Sequence, residues 1–568
     1  MKDLKATPQV IDFFCGAGGF SEGFRQQGFE IVMGIDNWPL AIETHNLNHG
    51  LKDVTKDVLE LASSVDDINS LPDTEVIVGS PPCVLFSHSN NGGNSDKAPG
   101  IKLIEAFLRI VAIKKHQRPS KLRAWFMENV PNSKNHIEQS YTFRRLNLED
   151  WAKERKINPD TIALNVASHG EILNTADFGT PQKRDRFLCG EIVASQKFPD
   201  LKLFKVKQHR TVRMIRSKMP PPNMGKSNKI YSDPNYLSLK LPAEEIADHF
   251  YDSGIYECQW QDALWLKTNH GYMGKMSFPE NEDKPSRTVM ATQSASTREA
   301  LIYKSEYERK GDGEYRLPTI REVATLMGFP YSYRFVGGEN NKWRQVGNAV
   351  SPHLSSALAK SVRLAMGLQV ISDSEIKFES VNTDKLKDIE NLNTFKKARL
   401  DDPPKKNPKA SFRRHPFKDG NMTVTLTNFD PDVKPHKPNP HEPIKWFSSI
   451  FFGAGKDYKV KVISPNGFKH IGKLIEAQHN SQGTNFISKF EKHFHKIIGS
   501  SSKFQDAYTG GNASEVHNPR RLVDEIGQFI LKNEPDERFT KVPDWISDKE
   551  KIPTRQVLTI YAINRIIS

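Results

Sequence analysis

The stretch Val76-Ile77-Val78-Gly79-Ser80-Pro81-Pro82-Cys83 decides how the rest of this chain is interpreted. Three consecutive apolar residues that run into glycine and proline predict a buried parallel strand ending in a loop. Ligands bind at the carboxyl ends of strands in open α/β sheets, and two prolines restrict this loop. A thiol held at such an edge is suited to covalent catalysis, whereas most free cysteines are simply small buried apolar residues.

Polar or glycine-rich segments follow three other predicted strands. Residues 10–14 lead into a glycine-rich turn at residues 15–20, and such a turn brings a cofactor to a helix N-terminus. The alternative is that these glycines are needed only for the backbone of a tight turn and not for a cofactor. Residues 31–35 lead into Asp36, an acid that suits ribose hydroxyls at this distance from the turn. Residues 124–127 lead into Glu128-Asn129, which again places polar groups at the carboxyl end of a strand.

Two further residues near Asp36 have both a binding and a structural interpretation. Trp38 could stack on an adenine ring, or it could pack in the core. Asp57 could accept a hydrogen bond from an adenine amine, or it could be an ordinary polar loop residue.

Strands alternate with helices along the first part of the chain, which predicts a doubly wound α/β sheet. The apolar spacing in residues 101–115 predicts an amphipathic helix, and residues 162–166 and 186–190 read as strands. Gln182, Arg184 and Arg186 alternate, so we expect them on one face.

Composition narrows the class of protein. The chain has 568 residues, enough for three or four domains, and its four cysteines form no CxxC pair. We therefore expect a reducing compartment, with neither a disulfide framework nor a metal site. No run is long and apolar enough for a membrane span or a signal peptide, so we expect a cytoplasmic protein, nucleoid-associated if the source is bacterial. A net charge of +13 suggests a polyanionic partner.

The character of the chain changes after residue 196. Residues 197–229 contain ten lysines or arginines against one acid, Asp200. A basic, loop-rich segment in an α/β protein suggests nucleic-acid binding, and the alternative is a solvated charged face. Residues 369–410 have a linker composition, and residues 411–568 have enough apolar runs for another domain.

Taken together and in order, these motifs resemble those of the DNA cytosine-5 methyltransferases. They are the glycine turn, the acid after the second strand, Pro82-Cys83, Glu128-Asn129-Val130, Gln182-x-Arg184-x-Arg186, the basic insert and Gly347-Asn348-Ala349-Val350. The resemblance covers residues 8–368. Many members of that family have glutamine after the catalytic cysteine, where this chain has Val84.

The resemblance implies an organisation and a reaction. Residues 1–195 and 316–368 would form a Rossmann-like catalytic domain that binds S-adenosylmethionine, residues 196–315 a target-recognition region, and residues 411–568 an accessory α+β domain. The enzyme would methylate carbon 5 of a flipped-out cytosine in a specific double-stranded DNA sequence, through a Cys83 adduct at carbon 6. We expect a monomer, and a restriction endonuclease as its partner in a restriction–modification system.

The resemblance also assigns roles to individual residues. Cys83 matches the nucleophile, Glu128 the acid that contacts the ring, and Arg186 the arginine that faces the base oxygen. Arg184, Pro82, Asn129 and Gln182 match residues that support the site. The residues matching cofactor contacts are Phe14, Gly16, Gly18, Gly19, Asp36, Trp38, Asp57, Pro81, Asn348 and Val350.

Three alternatives stay open at this stage. Transfer-RNA cytosine-5 methyltransferases share nearly all these motifs, but they usually lack so large and basic an insert. A DNA-binding regulator could keep the fold without the activity, although Cys83 and Glu128 are intact. The C-terminal region could instead be a fused nuclease, because His436-x-x-Asn439-x-His441 superficially resembles a metal nuclease motif.

Overall fold

A computed structural model gives the fold of this chain. It describes residues 7–82, 97–224, 227–255, 257–268, 275–295, 297–307, 313–378, 415–419, 422–427, 447–452, 468–498, 519–534, 538–546 and 550–567. The chain divides into two compact units, Met1–Pro403 and Pro404–Ser568. No helix in these described ranges is long and apolar enough to cross a membrane.

Twelve strands lie in the described residues of the first unit. They are β1 (Gln9–Phe13), β2 (Glu30–Ile35), β3 (Val76–Gly79), β4 (Ala124–Asn129), β5 (Ser140–Thr142), β6 (Ile162–Asn165), β7 (Gly170–Asn174), β8 (Asp185–Ile192), β9 (Ile230–Ser232), β10 (Lys240–Pro242), β11 (Tyr303–Lys304) and β12 (Tyr315–Arg316).

The α-helices of the first unit alternate with these strands over the first 130 residues. They are α1 (Gly19–Gln26), α2 (Pro39–His49), α3 (Val58–Ser63), α4 (Val65–Ser70), α5 (Ala98–His116), α6 (Glu149–Glu154), α7 (Val212–Arg216), α8 (Glu257–Thr268), α9 (Ile320–Met327), α10 (Glu339–Asn348) and α11 (Pro352–Ala365).

Six strands form the central sheet in the order β2-β1-β3-β4-β8-β7. β1 pairs in parallel with β2 and β3, and β3 pairs in parallel with β4. β8 runs antiparallel to both β4 and β7. The carboxyl ends of β1, β2, β3 and β4 therefore lie at one edge, which is where the sequence predicts the site.

The two faces of this sheet carry separate apolar cores. Because successive strand side chains point to opposite faces, Ile77 and Trp125 pack with Phe107 of α5 on one side. Val78 and Phe126 pack on the other side with apolar residues of α1 and α11. Helices on both faces of a mostly parallel sheet confirm the predicted α/β class.

Two strands differ from the sequence prediction. Residues 162–166 read as a sheet strand, but β6 pairs with β5 in a separate two-stranded sheet. β7 was not predicted, although it forms the edge of the central sheet beside β8. It escapes the pattern because its sequence, Gly-Glu-Ile-Leu-Asn, is mixed and Ile172 is exposed.

The second unit combines a small sheet with helices. β13 (His415–Asp419), β14 (Met422–Thr427) and β15 (Phe447–Phe452) form an antiparallel sheet, and β16 (Phe539–Lys541) pairs with β17 (Lys551–Pro553). The helices are α12 (Phe468–Phe494), α13 (Pro519–Asn533) and α14 (Thr554–Ile567). An apolar core joins the three helices and includes Ile475, Phe490, Ile526, Val557 and Ile563. This is an α+β arrangement, as expected.

Candidate active site

The glycine-rich turn follows β1 directly and contains three residues with left-handed backbone. Phe14, Gly16 and Gly18 have φ angles of 54°, 52° and 85°. The Gly16 amide donates to Asp36 Oδ2 over 2.9 Å, and the Gly18 amide donates to the Cys15 carbonyl over 2.8 Å. Among the described residues, a Cβ built on Gly16 would meet only the Phe14 carbonyl oxygen, at 4.0 Å, so that part of the protein leaves the space above the turn open.

Asp36 lies at the end of β2 and fastens the turn to the start of α2. Its second oxygen, Oδ1, accepts the Trp38 amide over 2.8 Å. Burial raises the pKa of this carboxyl, and the hydrogen bonds from the Trp38 and Gly16 amides oppose that rise. Each carboxylate oxygen has a second lone pair, so Asp36 can still accept hydrogen bonds from a ligand.

Trp38 and Asp57 lie beside this carboxyl. The Arg344 guanidinium lies 4.7 Å from the centre of the half-buried Trp38 ring, a cation–π contact that the sequence did not suggest. Asp57 is exposed, and its Oδ1 caps α3 by accepting the Leu59 amide over 2.7 Å. Its neighbour Lys56 donates its amide to the Asp36 carbonyl over 3.0 Å, so Asp57 stands next to the Asp36 site.

The loop that leads to Cys83 contacts both the glycine turn and the end of β4. Ser80 donates its amide to the Phe13 carbonyl over 3.0 Å and its hydroxyl to the Phe14 carbonyl over 2.9 Å. Asn129, which is fully buried, donates from Nδ2 to the Pro81 carbonyl over 3.1 Å. Cys83 itself lies outside the described residues.

Glu128, the residue before Asn129, forms a buried ion pair with Arg186. The Arg186 Nε lies 2.8 Å from Glu128 Oε1, and the two residues are 9% and 7% exposed. Burial raises the pKa of the Glu128 carboxyl, and the charges of Arg186 and Arg184 oppose the rise. The Glu128 carboxyl therefore gains a proton more readily than an exposed glutamate.

Gln182 and Arg184 are buried, and their side chains hydrogen-bond to backbone, although the charge of Arg184 also acts on Glu128. Gln182 Oε1 accepts the Val289 amide over 3.0 Å, and Arg184 Nη1 donates to the Val289 carbonyl over 3.1 Å. Arg184 Nη2 also donates to the Gly347 carbonyl over 2.8 Å. These two side chains therefore join the segment before β8 to Val289 of the expected insert and to the end of α10.

The end of α10 packs tightly against the glycine turn. A Cβ built on Gly19 would lie 2.0 Å from the Val350 carbonyl oxygen, so only glycine allows this approach. Val350 is buried, whereas Asn348 is exposed. The last sequence motif and the first one thus meet in one place, although they are over 300 residues apart in the chain.

Two of the other cysteines do not fit the role of a nucleophile. Cys15 and Cys189 are buried, and burial raises the pKa of both thiols. A thiol needs its charged form to attack, so neither is suited to covalent catalysis.

The charge of the basic span after residue 196 is partly neutralised by ion pairs within the protein chain. Arg213 pairs with Asp283 over 2.7 Å, and Lys205 pairs with Asp177 over 2.9 Å. Arg216 lies between Glu282 and Glu306. Acidic residues distant in sequence therefore neutralise part of the positive charge that the sequence predicts to bind a polyanion. Several lysines of the span stay exposed: Lys197, Lys202, Lys207, Lys218 and Lys229.

The open turn and its surroundings fit S-adenosylmethionine. The open side of Gly16 leaves room for a ligand, Asp36 has lone pairs to accept ribose hydroxyls, and Trp38 is half-buried beside it. The carboxylate of exposed Asp57 has an acceptor oxygen beyond the one that caps α3.

Comparison with known proteins agrees with this geometry. The family model described as C-5 cytosine-specific DNA methylase matches residues 8–363. The Type II methyltransferase M.AplI of Arthrospira platensis is 27% identical over 369 residues, which cover 64% of this chain and 88% of that protein. The Type II methyltransferase M1.HphI of Haemophilus parahaemolyticus is 26% identical over 367 residues, which cover 62% and 86%.

Among solved structures, the S. pombe Dnmt2 methyltransferase is 17% identical and covers 64% of this chain and 100% of its own, with a TM-score of 0.41. The family model spans the glycine turn, the Glu128–Arg186 pair and the Val350 contact, and it covers well over half of the 568 residues. The chain therefore belongs to the C-5 cytosine-specific DNA methylase family and is a DNA cytosine-5 methyltransferase.

Proposed function

We propose that this enzyme methylates carbon 5 of a flipped-out cytosine in double-stranded DNA through a covalent bond from Cys83 to carbon 6 of the base. The observation that carries the proposal is the 3.1 Å hydrogen bond from Asn129 to the Pro81 carbonyl. It brings the residue after Glu128 against the loop that leads to Cys83. Covalent and acid–base groups on adjacent strands at one sheet edge are what this reaction needs.

The chemistry assigns a distinct task to each group. Carbon 5 of cytosine is a weak nucleophile until the Cys83 thiolate adds at carbon 6 and makes the ring an enamine. Glu128, with its raised pKa, holds a proton at ring nitrogen 3 and contacts the exocyclic amine. Arg186, paired with Glu128, faces the base oxygen. After methyl transfer, loss of the carbon 5 proton lets the ring expel the thiolate.

S-adenosylmethionine supplies an electrophilic methyl group when it is bound. The residues that would hold it are Phe14, Gly16, Gly18, Gly19, Asp36, Trp38, Asp57, Pro81, Asn348 and Val350. Pro82, Asn129, Gln182 and Arg184 would support them by fixing loops. The bonds from Arg184 and Gln182 to backbone at 289 and 347 agree with a supporting task.

The remaining assignments concern partners. The insert of residues 196–315 would grip DNA phosphates with its exposed lysines, and side chains within it would read the major groove. The similarity to two Type II methyltransferases, M.AplI and M1.HphI, favours a restriction–modification role with a cognate endonuclease. We propose a monomer that acts in the cytoplasm, at the nucleoid if the source is bacterial. The nuclease-like motif that begins at His436 lies outside the described residues.

Transfer of a tritiated methyl group tests the substrate class. The purified protein is incubated with labelled S-adenosylmethionine and with either duplex DNA of mixed sequence or transfer RNA. We expect label in DNA and none above background in RNA. Label only in RNA would overturn the DNA assignment, and label in neither would overturn the enzymatic one.

A further inference from the structure

The hydroxyl of Tyr333 touches the glycine turn. Tyr333 is buried, and its Oη–H donates to the Ala17 carbonyl over 2.5 Å. A Cβ built on Gly18 would lie 2.5 Å from that hydroxyl oxygen and 2.9 Å from His49 Nε2. The turn therefore needs glycine at position 18 partly because this tyrosine lies against it.

Two hydrogen bonds hold one peptide unit of the turn from opposite sides. In a planar trans peptide, the carbonyl of Ala17 and the amide of Gly18 point in opposite directions. The carbonyl accepts from Tyr333, and the amide donates to the Cys15 carbonyl over 2.8 Å. Rotation of this peptide would break both bonds, so its orientation is fixed.

Tyr333 is itself held by a buried arginine. Arg321 is fully buried and donates from Nη2 to the Tyr333 carbonyl over 2.6 Å and from Nη1 to the Pro330 carbonyl over 3.0 Å. Its Nε donates to the Ala247 carbonyl over 3.1 Å. The segment that presents the hydroxyl is thus fastened to residues of the insert rather than to the turn it supports.

His49 also contacts the Tyr333 hydroxyl, and the direction of the hydrogen bond between them can be assigned. Because the Tyr333 proton is used on the Ala17 carbonyl, the hydroxyl oxygen is the acceptor for His49 Nε2, which lies 3.3 Å away. His49 therefore carries its proton on Nε2. Burial lowers the pKa of this imidazole to about 3, so it stays neutral and cannot repel a cationic ligand.

We propose that Tyr333 is a positioning residue for S-adenosylmethionine, acting through the Ala17 carbonyl to hold the glycine turn in its binding conformation. This inference rests on the proposed function, because it requires the turn to bind that cofactor. Tyr333 lies more than 300 positions from the glycine motif in the sequence, and it fixes a conformation of the turn that the glycines alone would not hold. The hydroxyl does not touch the reacting atoms, so its loss affects cofactor affinity rather than chemistry.

The test compares Tyr333→Phe with Tyr331→Phe in the full-length protein. Both side chains are buried, but the Tyr331 hydroxyl has no hydrogen-bond partner among the described residues. Equilibrium titration gives the Kd for S-adenosylmethionine, and steady-state assays give kcat and the KM for DNA. For Tyr333→Phe we expect a Kd raised about 3- to 10-fold, as the loss of one buried hydrogen bond predicts. We expect kcat and the DNA KM to stay within about two-fold, and Tyr331→Phe to match wild type in all three.

The other outcomes would overturn either the positioning role of Tyr333 or the proposed function. An unchanged cofactor Kd in Tyr333→Phe, or an equal rise in both variants, would overturn the positioning role and leave the proposed function standing. A fall in kcat without a change in Kd would also overturn it. Wild-type protein that binds no S-adenosylmethionine would instead overturn the proposed function itself.

Discussion

Glu128 and Arg186 show how one buried pair can prepare a carboxyl for proton chemistry. Burial raises the pKa of Glu128, and the guanidinium 2.8 Å away limits the rise. Full desolvation without a partner would keep the carboxyl protonated, and an exposed pair would keep it charged. A buried pair at the end of a strand lies between those limits, which suits a group that holds and releases a proton.

Replacing Glu128 with glutamine should remove proton transfer while leaving the shape. We expect Glu128→Gln to lower kcat about 10²- to 10⁴-fold, the range typical of a general acid, with the cofactor Kd unchanged. Steady-state kinetics and cofactor titration measure this. Glu191→Gln is the matched control, because Glu191 is also a buried carboxyl but pairs with residue 125 near the other end of β4. Equal losses of kcat in both variants would show that replacing any buried carboxyl lowers activity, and would contradict a specific role of Glu128 in proton transfer.

Asp12 predicts a pH dependence of stability. Burial raises the pKa of this carboxyl to about 7, and its bonds from Ser21 oppose the rise. The unfolded chain releases this proton near pH 4, but the folded protein keeps it until about pH 7. Stability from this group is therefore greatest below pH 4 and is lost as pH rises through 7.

Asp12→Asn removes that titration. We expect its free energy of unfolding, relative to wild type, to rise by roughly 2 to 4 kcal/mol between pH 4 and pH 8. Urea unfolding at a series of pH values measures the difference. Parallel pH profiles for the two proteins would contradict the assignment.

Individual site residues can be predicted from the sequence only where they stand at the end of a recognisable strand. Asp36 and Glu128 each stand at the end of an apolar run, so the pattern exposed them. His49, Tyr333 and Arg344 are single polar residues in helices or loops, and nothing in their local sequence shows which distant group they contact. Their roles depend on the fold bringing the segment after α9 onto the glycine turn.

At the scale of elements, the site depends on how closely α1 approaches the residues after α10. A Cβ at Gly19 would lie 2.0 Å from the Val350 carbonyl oxygen, and backbone cannot yield as a side chain can. We expect Gly19→Ala to cost about 1 to 3 kcal/mol of stability, as overpacking does, and to weaken cofactor binding. Denaturant unfolding and cofactor titration measure the two effects.

Gly338→Ala is the control for that substitution. A Cβ there meets no described atom within 4 Å, and the residue has a φ of −74°, which alanine adopts freely. Stability and cofactor affinity close to wild type are expected. A Gly19→Ala protein as stable and as tightly binding as this control would contradict the close approach.

Strands and helices can be predicted from the sequence where their apolar residues follow a clear pattern. The four parallel strands and the long helix α5 follow from it, within a few residues at their ends. β7 and the partner of β6 did not follow, because pairing between strands is set by tertiary contacts rather than by propensity. The sequence also overstates the free charge of residues 197–229, because Glu282, Asp283 and Glu306, which lie far along the chain, neutralise some of it.

At the scale of the whole molecule, the chain holds a catalytic unit and a second unit with its own apolar core. Residues 401–500 carry 17 lysines or arginines against 9 acids. We expect a chain ending at Pro403 to bind duplex DNA more weakly and with a shallower dependence of log K on log salt, because fewer phosphates are neutralised. Fluorescence anisotropy at several salt concentrations measures both. An unchanged slope would show that the second unit does not contact DNA.

The account depends most on the Cys83 thiol, and bisulfite sequencing of DNA from expressing cells tests it most directly. We predict methylated cytosines at one recurring sequence with wild type, the same pattern with Cys258→Ala, and none with Cys83→Ala at equal protein levels. Methylation by Cys83→Ala at the wild-type sites and extent would contradict the central claim.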